Sequence, residues 1–228
     1  MRKEISTWLG RQFVQLSAEG RKGATEAEAT AELFQRYESE LHGHGLTLDN
    51  TARVRVWGRD RSARTLATGA RSKILAGHGR AASSSFISQQ WFESRATAGL
   101  ELLAMRPLHG TAARQPVDFT PARNYLYYLD YDGVIFFSGF TSEAATLEEQ
   151  VREVLKTYDQ ALAHAGTDWS KVMKLSVLLQ RGRDLAAVER TLAQGNPGHV
   201  PSIEYSFVDG FAGDKYLIEI EATALRER

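Results

Sequence analysis

The sequence predicts an α+β protein built from two tandem copies of one domain. Three observations carry this reading. Landmarks of the first half recur in the second at one offset: Ser138 follows Ser17, Gly166 follows Gly45 and Val177 follows Val56 by the same 121 residues. Each pair occupies the same kind of place: a β-rich run ending in serine, a glycine closing an amphipathic helix, and the centre of the next strand. In each half the order strand, strand, helix, strand, helix, strand lets the helices cover one face of a sheet. The division expected is a first domain over 1–106, a linker over 107–120 and a second domain over 121–228.

The elements follow in order. "QFVQLS" is the β-rich run before the first helix. That helix carries Ala29, Leu33, Tyr37 and Leu41 as a stripe at spacing four, and stops at Gly45, a residue that tolerates positive φ. A strand centred on Val56, a second helix in "SARTLATGARSKILAG" and the strand "GLELLAM" complete the half. The linker region, "PLHGTAARQPVDFTPA", holds three of the five prolines and little periodicity. In the second half "VIFFSG" precedes a helix with Val151, Val154, Leu155, Tyr158, Leu162 and Ala165 on one stripe. Thr146 is its expected N-cap, with Glu149 completing a capping box. A strand centred on Val177 and the helix "DLAAVERTLAQG" come next. The closing strand, "YLIEIEATA", places Tyr216, Ile218, Ile220 and Ala222 on one face and Leu217, Glu219, Glu221 and Thr223 on the other. Two carboxylates on one face mark either a wet surface or a site where a carboxylate works.

Composition narrows the function. Hydrophobic residues are 43% and charged residues 25%, a globular balance. Lys+Arg and Asp+Glu are 28 each, so the net charge is zero and no basic stripe points to nucleic acid. The absence of cysteine excludes disulfides, thiol nucleophiles and zinc–thiolate sites. "MRKEISTWLGRQF" does not read as a secretory leader, and no apolar run is long enough to span a membrane. A cytoplasmic protein without membrane partners is expected.

The wording of the second half resembles the Rid family (reactive intermediate deaminases, also called YjgF-like or endoribonuclease L-PSP-like). "VIFFSG", "EEQVREVLKTYDQALAHAG", "KVMKLSVLLQRGRDLAAVERTL" and the closing hairpin "VPSIEYSFVDGFAGDKYLIEIEATA" carry the resemblance over about a hundred residues. The first half matches in pattern more than in letters. The resemblance implies two chorismate-mutase-like domains, each a mixed sheet backed by two helices on one face. It also implies a homo-oligomer (trimer or dimer), small-molecule chemistry on imines or enamines, and no metal or organic cofactor.

Carried over residue by residue, the resemblance assigns Tyr125, Ser138 and Glu219 to the reacting centre. The position of the family's cleft asparagine is Glu189. The arginine that clamps a substrate carboxylate would fall at Ile203, or at Glu204 if the turn shifts by one, with Tyr205 as an aromatic wall. An isoleucine cannot hold a carboxylate and a glutamate repels one. A neutral, cationic or aromatic substrate is therefore expected rather than an ordinary 2-imino acid. Read from its own surroundings, Ser138 is a hydrogen-bonding residue of a turn, since no "GxSxG" elbow surrounds it. Glu221 reads as structural or interfacial. The function expected is that of a Rid-like enzyme acting on a small imine, enamine or related reactive intermediate, in a specialised biosynthetic pathway. The alternative left open is a member that keeps the fold, has lost the chemistry and binds a ligand or partner.

Overall fold

The computed structural model describes residues 1–108, 114–195 and 201–226. Two sheets account for the chain. In the first half, strands β1 (Arg2–Trp8), β2 (Arg11–Glu19), β3 (Thr51–Gly58), β4 (Ala82–Ile87) and β5 (Ala98–Met105) form a sheet of order β1-β2-β5-β3-β4. Its helices are α1 (Glu26–His42) and α2 (Arg61–Ile74). The second half contains β6 (Arg114–Val117), β7 (Tyr128–Tyr131), β8 (Val134–Phe137), β9 (Val172–Gln180), β10 (Ser202–Val208) and β11 (Ile218–Leu225). Their order is β10-β9-β11-β8-β7-β6, with helices α3 (Leu147–His164) and α4 (Leu185–Gly195). Without β6, the second order is the first written backwards. In each sheet one pair is parallel, β3 with β4 and β9 with β10, and the rest are antiparallel.

The duplication extends to single hydrogen bonds. Thr25 with Glu28, and Thr146 with Glu149, form capping boxes at the starts of α1 and α3. The Tyr37 hydroxyl donates to the Leu100 carbonyl at 2.6 Å, and that of Tyr158 to the Ile220 carbonyl at 2.8 Å. Each tyrosine thereby ties the first helix of its half to the last strand. The β1–β2 and β7–β8 hairpins both turn through two residues with positive φ, Leu9-Gly10 and Asp132-Gly133. This is the primed turn that matches strand twist.

Two features differ from the sequence-based reading. Four strands per half were expected, and the structure has five in one and six in the other. β4, "ASSSFI", lacks apolar alternation because its serines serve as hydrogen-bond partners in a buried position. The region 107–120 contributes β6, paired with β7. Nor do the last two strands of either half form a closing hairpin. β10 and β11 lie on opposite sides of β9, just as β4 and β5 flank β3.

Each sheet has one apolar face under its helices. In the second half Ile135, Phe137, Val177, Leu179, Ile218 and Ile220 pack with α3 and α4. In the first half Val14, Leu16, Val54, Val56, Leu100 and Leu102 pack with α1 and α2. The other faces of the two sheets meet. At one end Phe13, Ala82 and Met105 pack against Leu129, Val134 and Phe136. At the other Trp57 and Phe86 pack against Leu178, Val208 and Phe211. Between these apolar clusters runs a strip of charged and hydroxyl side chains, among them Arg53, Ser84, Ser138, Glu219 and Glu221.

Candidate functional site between the two halves

The polar face of β11 is neither wet surface nor open cleft, because the first sheet covers it. Glu221 is fully buried. Arg53 Nη1 bonds one of its oxygens, Arg55 Nη2 donates at 2.7 Å, and Arg55 Nε lies 3.2 Å from both oxygens. Arg53 Nη2 also donates to the Ala222 carbonyl at 2.8 Å. Burial opposes the Glu221 charge, but Arg53 and Arg55 outweigh it and hold its pKa down to about 2. Glu221 is therefore the anion that joins the two halves, in keeping with the interfacial role read from the sequence.

Glu219 points the same way two residues earlier and meets a different environment. It is 8% exposed, and burial pushes its pKa up to about 8. A hydrogen bond with Ser84 opposes the shift, the Glu221 charge adds to it, and Arg64 and Arg55 oppose it from further away. Gly139 makes room for this carboxyl. A Cβ at Gly139 would stand 1.8 Å from Glu219 Oε1 and 2.6 Å from Ser84 Oγ. Two hydrogen bonds clasp β4 to the end of β8: the Ser83 amide donates to Ser138 Oγ at 3.1 Å, and the Gly139 amide to Ser84 Oγ at 3.1 Å. Ser138 is thus engaged as an acceptor from the backbone of the other half.

One arginine of α2, Arg64, acts on Glu219 electrostatically. Arg64 lies within electrostatic reach of both Glu219 and Tyr125, and its Nη2 bonds Ser85 Oγ. Two turns on, Arg71 donates to Ser83 Oγ at 2.9 Å. Arg71 and Tyr125 line a cavity of about 330 Å³ together with Ser72, Arg80, Arg123 and Asn124. Arg123 Nη1 donates to the Tyr125 hydroxyl at 2.9 Å.

The sequence-predicted residues therefore separate into groups. Glu219 and Ser138 both meet the serines of β4, and Tyr125 is linked to them through Arg64, which both it and Glu219 reach electrostatically. Glu204 lies elsewhere on the interdomain face, bonded to Lys174 at 2.9 Å and Ser176 at 3.3 Å. It borders a second cavity of about 440 Å³ with Arg53, Arg55 and Glu101. Ile203 and Tyr205 are on the opposite face of β10, packed against the helix-side core. Glu189 is exposed on α4, where it acts electrostatically on Tyr205. These three are not brought together with Glu219. Gly99, opposite Trp57 as Glu219 is opposite Leu178, is the first half's counterpart of Glu219 and carries no side chain. At Gly99 the Trp91 ring occupies the place a side chain would take, with Cζ3 2.1 Å from a built Cβ, and this ring stacks on Trp57.

Sequence reasoning missed Arg64 and Arg71. The available signal was the basic character of "SARTLATGARSKILAG", with two arginines seven apart on one helix face. Among the described residues, no group of three His, Asp or Glu side chains is arranged to hold a metal ion. The chemistry on offer is a protonated carboxyl, a hydroxyl and guanidinium groups.

Residues 116–226 match the family model described as Endoribonuclease L-PSP. A crystal structure of a member of the YjgF/YER057c/UK114 family from Mycobacterium tuberculosis is 22% identical, covering 50% of this chain and 99% of that one, with a TM-score of 0.44. A Rid family protein from Yersinia pestis is 23% identical, covering 50% and 99%, with a TM-score of 0.46. A chorismatase structure is similar across both halves: 97% of this chain and 79% of that one, TM-score 0.64, 16% identity. No curated protein matches the sequence.

Proposed function

We propose, for a chain whose residues 116–226 belong to the endoribonuclease L-PSP (YjgF/Rid) family and whose first half repeats that fold, an enzyme with its reacting centre between the halves 1–106 and 121–228. It hydrolyses a small imine, enamine or related reactive intermediate, and Glu219 is the general acid. One observation carries the reading: Glu219 is enclosed, its pKa is raised to about 8, and it stands beside Ser84 and within reach of Arg64. A carboxyl that keeps its proton near neutral pH can deliver it.

The chemistry follows from that proton. Glu219 protonates the electron-rich carbon of an enamine, leaving an iminium ion and a carboxylate. Water adds to the iminium carbon and returns a proton to Glu219, and collapse releases ammonia and a ketone. One water is consumed and the acid is regenerated. Tyr125 and Arg64 orient the substrate, and Gly139 keeps the space for the carboxyl. The likeness across both halves to a chorismatase favours a second substrate class. Chorismate contains an enol ether, the oxygen analogue of an enamine, and the same protonation followed by water addition would release an alcohol instead of ammonia. All named groups come from one chain, so a trimer or dimer would be built on other surfaces. Ribonuclease activity finds no support in a chain of zero net charge.

The test offers both classes to the protein. Imino acids generated by an amino-acid oxidase are followed by their disappearance, and chorismate by pyruvate release. Turnover of chorismate is expected and that of ordinary 2-imino acids is not, since no arginine stands at Ile203 or Glu204; Glu219→Gln should lower the chorismate rate by at least about tenfold. Unchanged turnover in that variant would remove Glu219 from the reaction. Tight binding without turnover would establish instead a member that keeps the fold as a ligand-binding protein.

A further inference from the structure

Arg71 stands apart from the other buried arginines. Arg53 and Arg55 face Glu221, and Arg11 faces Asp132. Arg71 is 7% exposed, has no carboxylate within ion-pair distance among the described residues, and its Nε has no hydrogen-bond partner. The charges that act on it are the cations Arg64 and Arg80. Burial first, then Arg64 and Arg80, lower its pKa to about 10, so it stays charged at neutral pH. A buried guanidinium without an anion is costly, and its planar fork of donors fits a carboxylate.

This side chain lines the cavity of about 330 Å³ described above, a volume within the range of small-ligand sites. The other polar groups around it are mostly donors: Ser72, Arg80, Arg123, Asn124 and the Tyr125 hydroxyl. Asp118 is the one carboxylate on the wall, and Arg80 already engages it, with one bond at 3.0 Å. Its charge disfavours a dianion.

We propose that this cavity is a carboxylate-binding subsite, in which Arg71 of the first half receives the anionic end of the substrate whose reacting end meets Glu219 of the second. The proposal rests on the functional reading above for the substrate, but the subsite stands on its own as a place that binds an anion. It replaces, from another domain, the arginine missing from β10. The volume adds a size: about 330 Å³ accommodates a ring-bearing monocarboxylate and is poorly filled by one as small as pyruvate.

Binding of sodium benzoate, pyruvate and inorganic phosphate to the full chain is measured by calorimetry. Benzoate should bind more tightly than either of the others. Arg71→Met should weaken benzoate at least tenfold, Arg71→Lys less, and Glu219→Gln should leave it within twofold. Because Arg71 also holds Ser83, the thermal midpoint of each variant is recorded, and Arg123→Ala provides an exposed second probe expected to weaken benzoate a few-fold. Equal benzoate affinity in wild type, folded Arg71→Met and Arg123→Ala would overturn the proposal, as would tighter binding of phosphate. Failure of Glu219→Gln to affect turnover, with benzoate binding still dependent on Arg71, would overturn the catalytic reading and leave the subsite intact.

Discussion

Replacing Glu219 by glutamine should stabilise the protein, and increasingly so as pH rises. The folded-state pKa is about 8 against an ordinary 4.5. Between these values the unfolded chain gives up the proton that the folded chain retains. A carboxyl with a raised folded pKa favours folding least at high pH: no cost arises below 4.5, and the full cost is reached above 8. At about 1.36 kcal/mol per pH unit, the cost between pH 5 and pH 8 grows by roughly 3 to 4 kcal/mol. Glutamine has no such titration. The stability of Glu219→Gln minus that of the wild type, from urea unfolding at both pH values, should therefore become more positive by an amount of that order. Taking the difference cancels every other titrating group. A difference that stays flat, or falls, from pH 5 to pH 8 would refute the claim that Glu219 is held protonated. Greater stability combined with lost turnover would be the expected signature of a residue kept for chemistry.

The same geometry fixes four other outcomes. Glu221→Gln, the identical change two residues away, should have the opposite sign, costing about 3 kcal/mol at pH 7 because Arg53 and Arg55 lose their common anion; urea unfolding checks it. Since Glu221 has its folded pKa near 2, its contribution is present above 4.5 and is lost as pH falls towards 2, so the variant should show a flatter acid limb. Gly139→Ala places a methyl where Glu219 Oε1 lies, and turnover should fall about a hundredfold or more while circular dichroism stays native. The pH profile of kcat/KM should decline above about 8 as Glu219 loses its proton; a wild-type profile level to pH 10 would exclude it as the acid.

Much of this molecule was legible in its residues because the information is local. The capping box at Thr146 and Glu149, the glycines at 45 and 166 and the stripe from Val151 to Ala165 depend on spacing along one chain segment. The alternation in β11 correctly separated Ile218 and Ile220 from Glu219 and Glu221. Local spacing could not identify what each face would meet. Strand side chains alternate with period two, so a one-residue ambiguity at the turn before β10 decides whether Ile203 or Glu204 faces the other half. The sheet pairing put Glu204 on that face and Ile203 among the helix-side residues.

The sequence by itself determined a doubled α+β fold, the two carboxylates on one face of the last strand, and the lack of an arginine at the expected place on β10. Only the tertiary structure decided that those carboxylates are covered and that they differ. Arg53 and Arg55 are more than 160 residues from Glu221 in the chain, yet they keep it ionised. Burial without an equally close cation leaves Glu219 protonated. Electrostatic free energy depends on distance through space and on exclusion of water, and neither is encoded in the spacing of residues along a strand. For the same reason, the guanidiniums beside the site came from α2 of the first half.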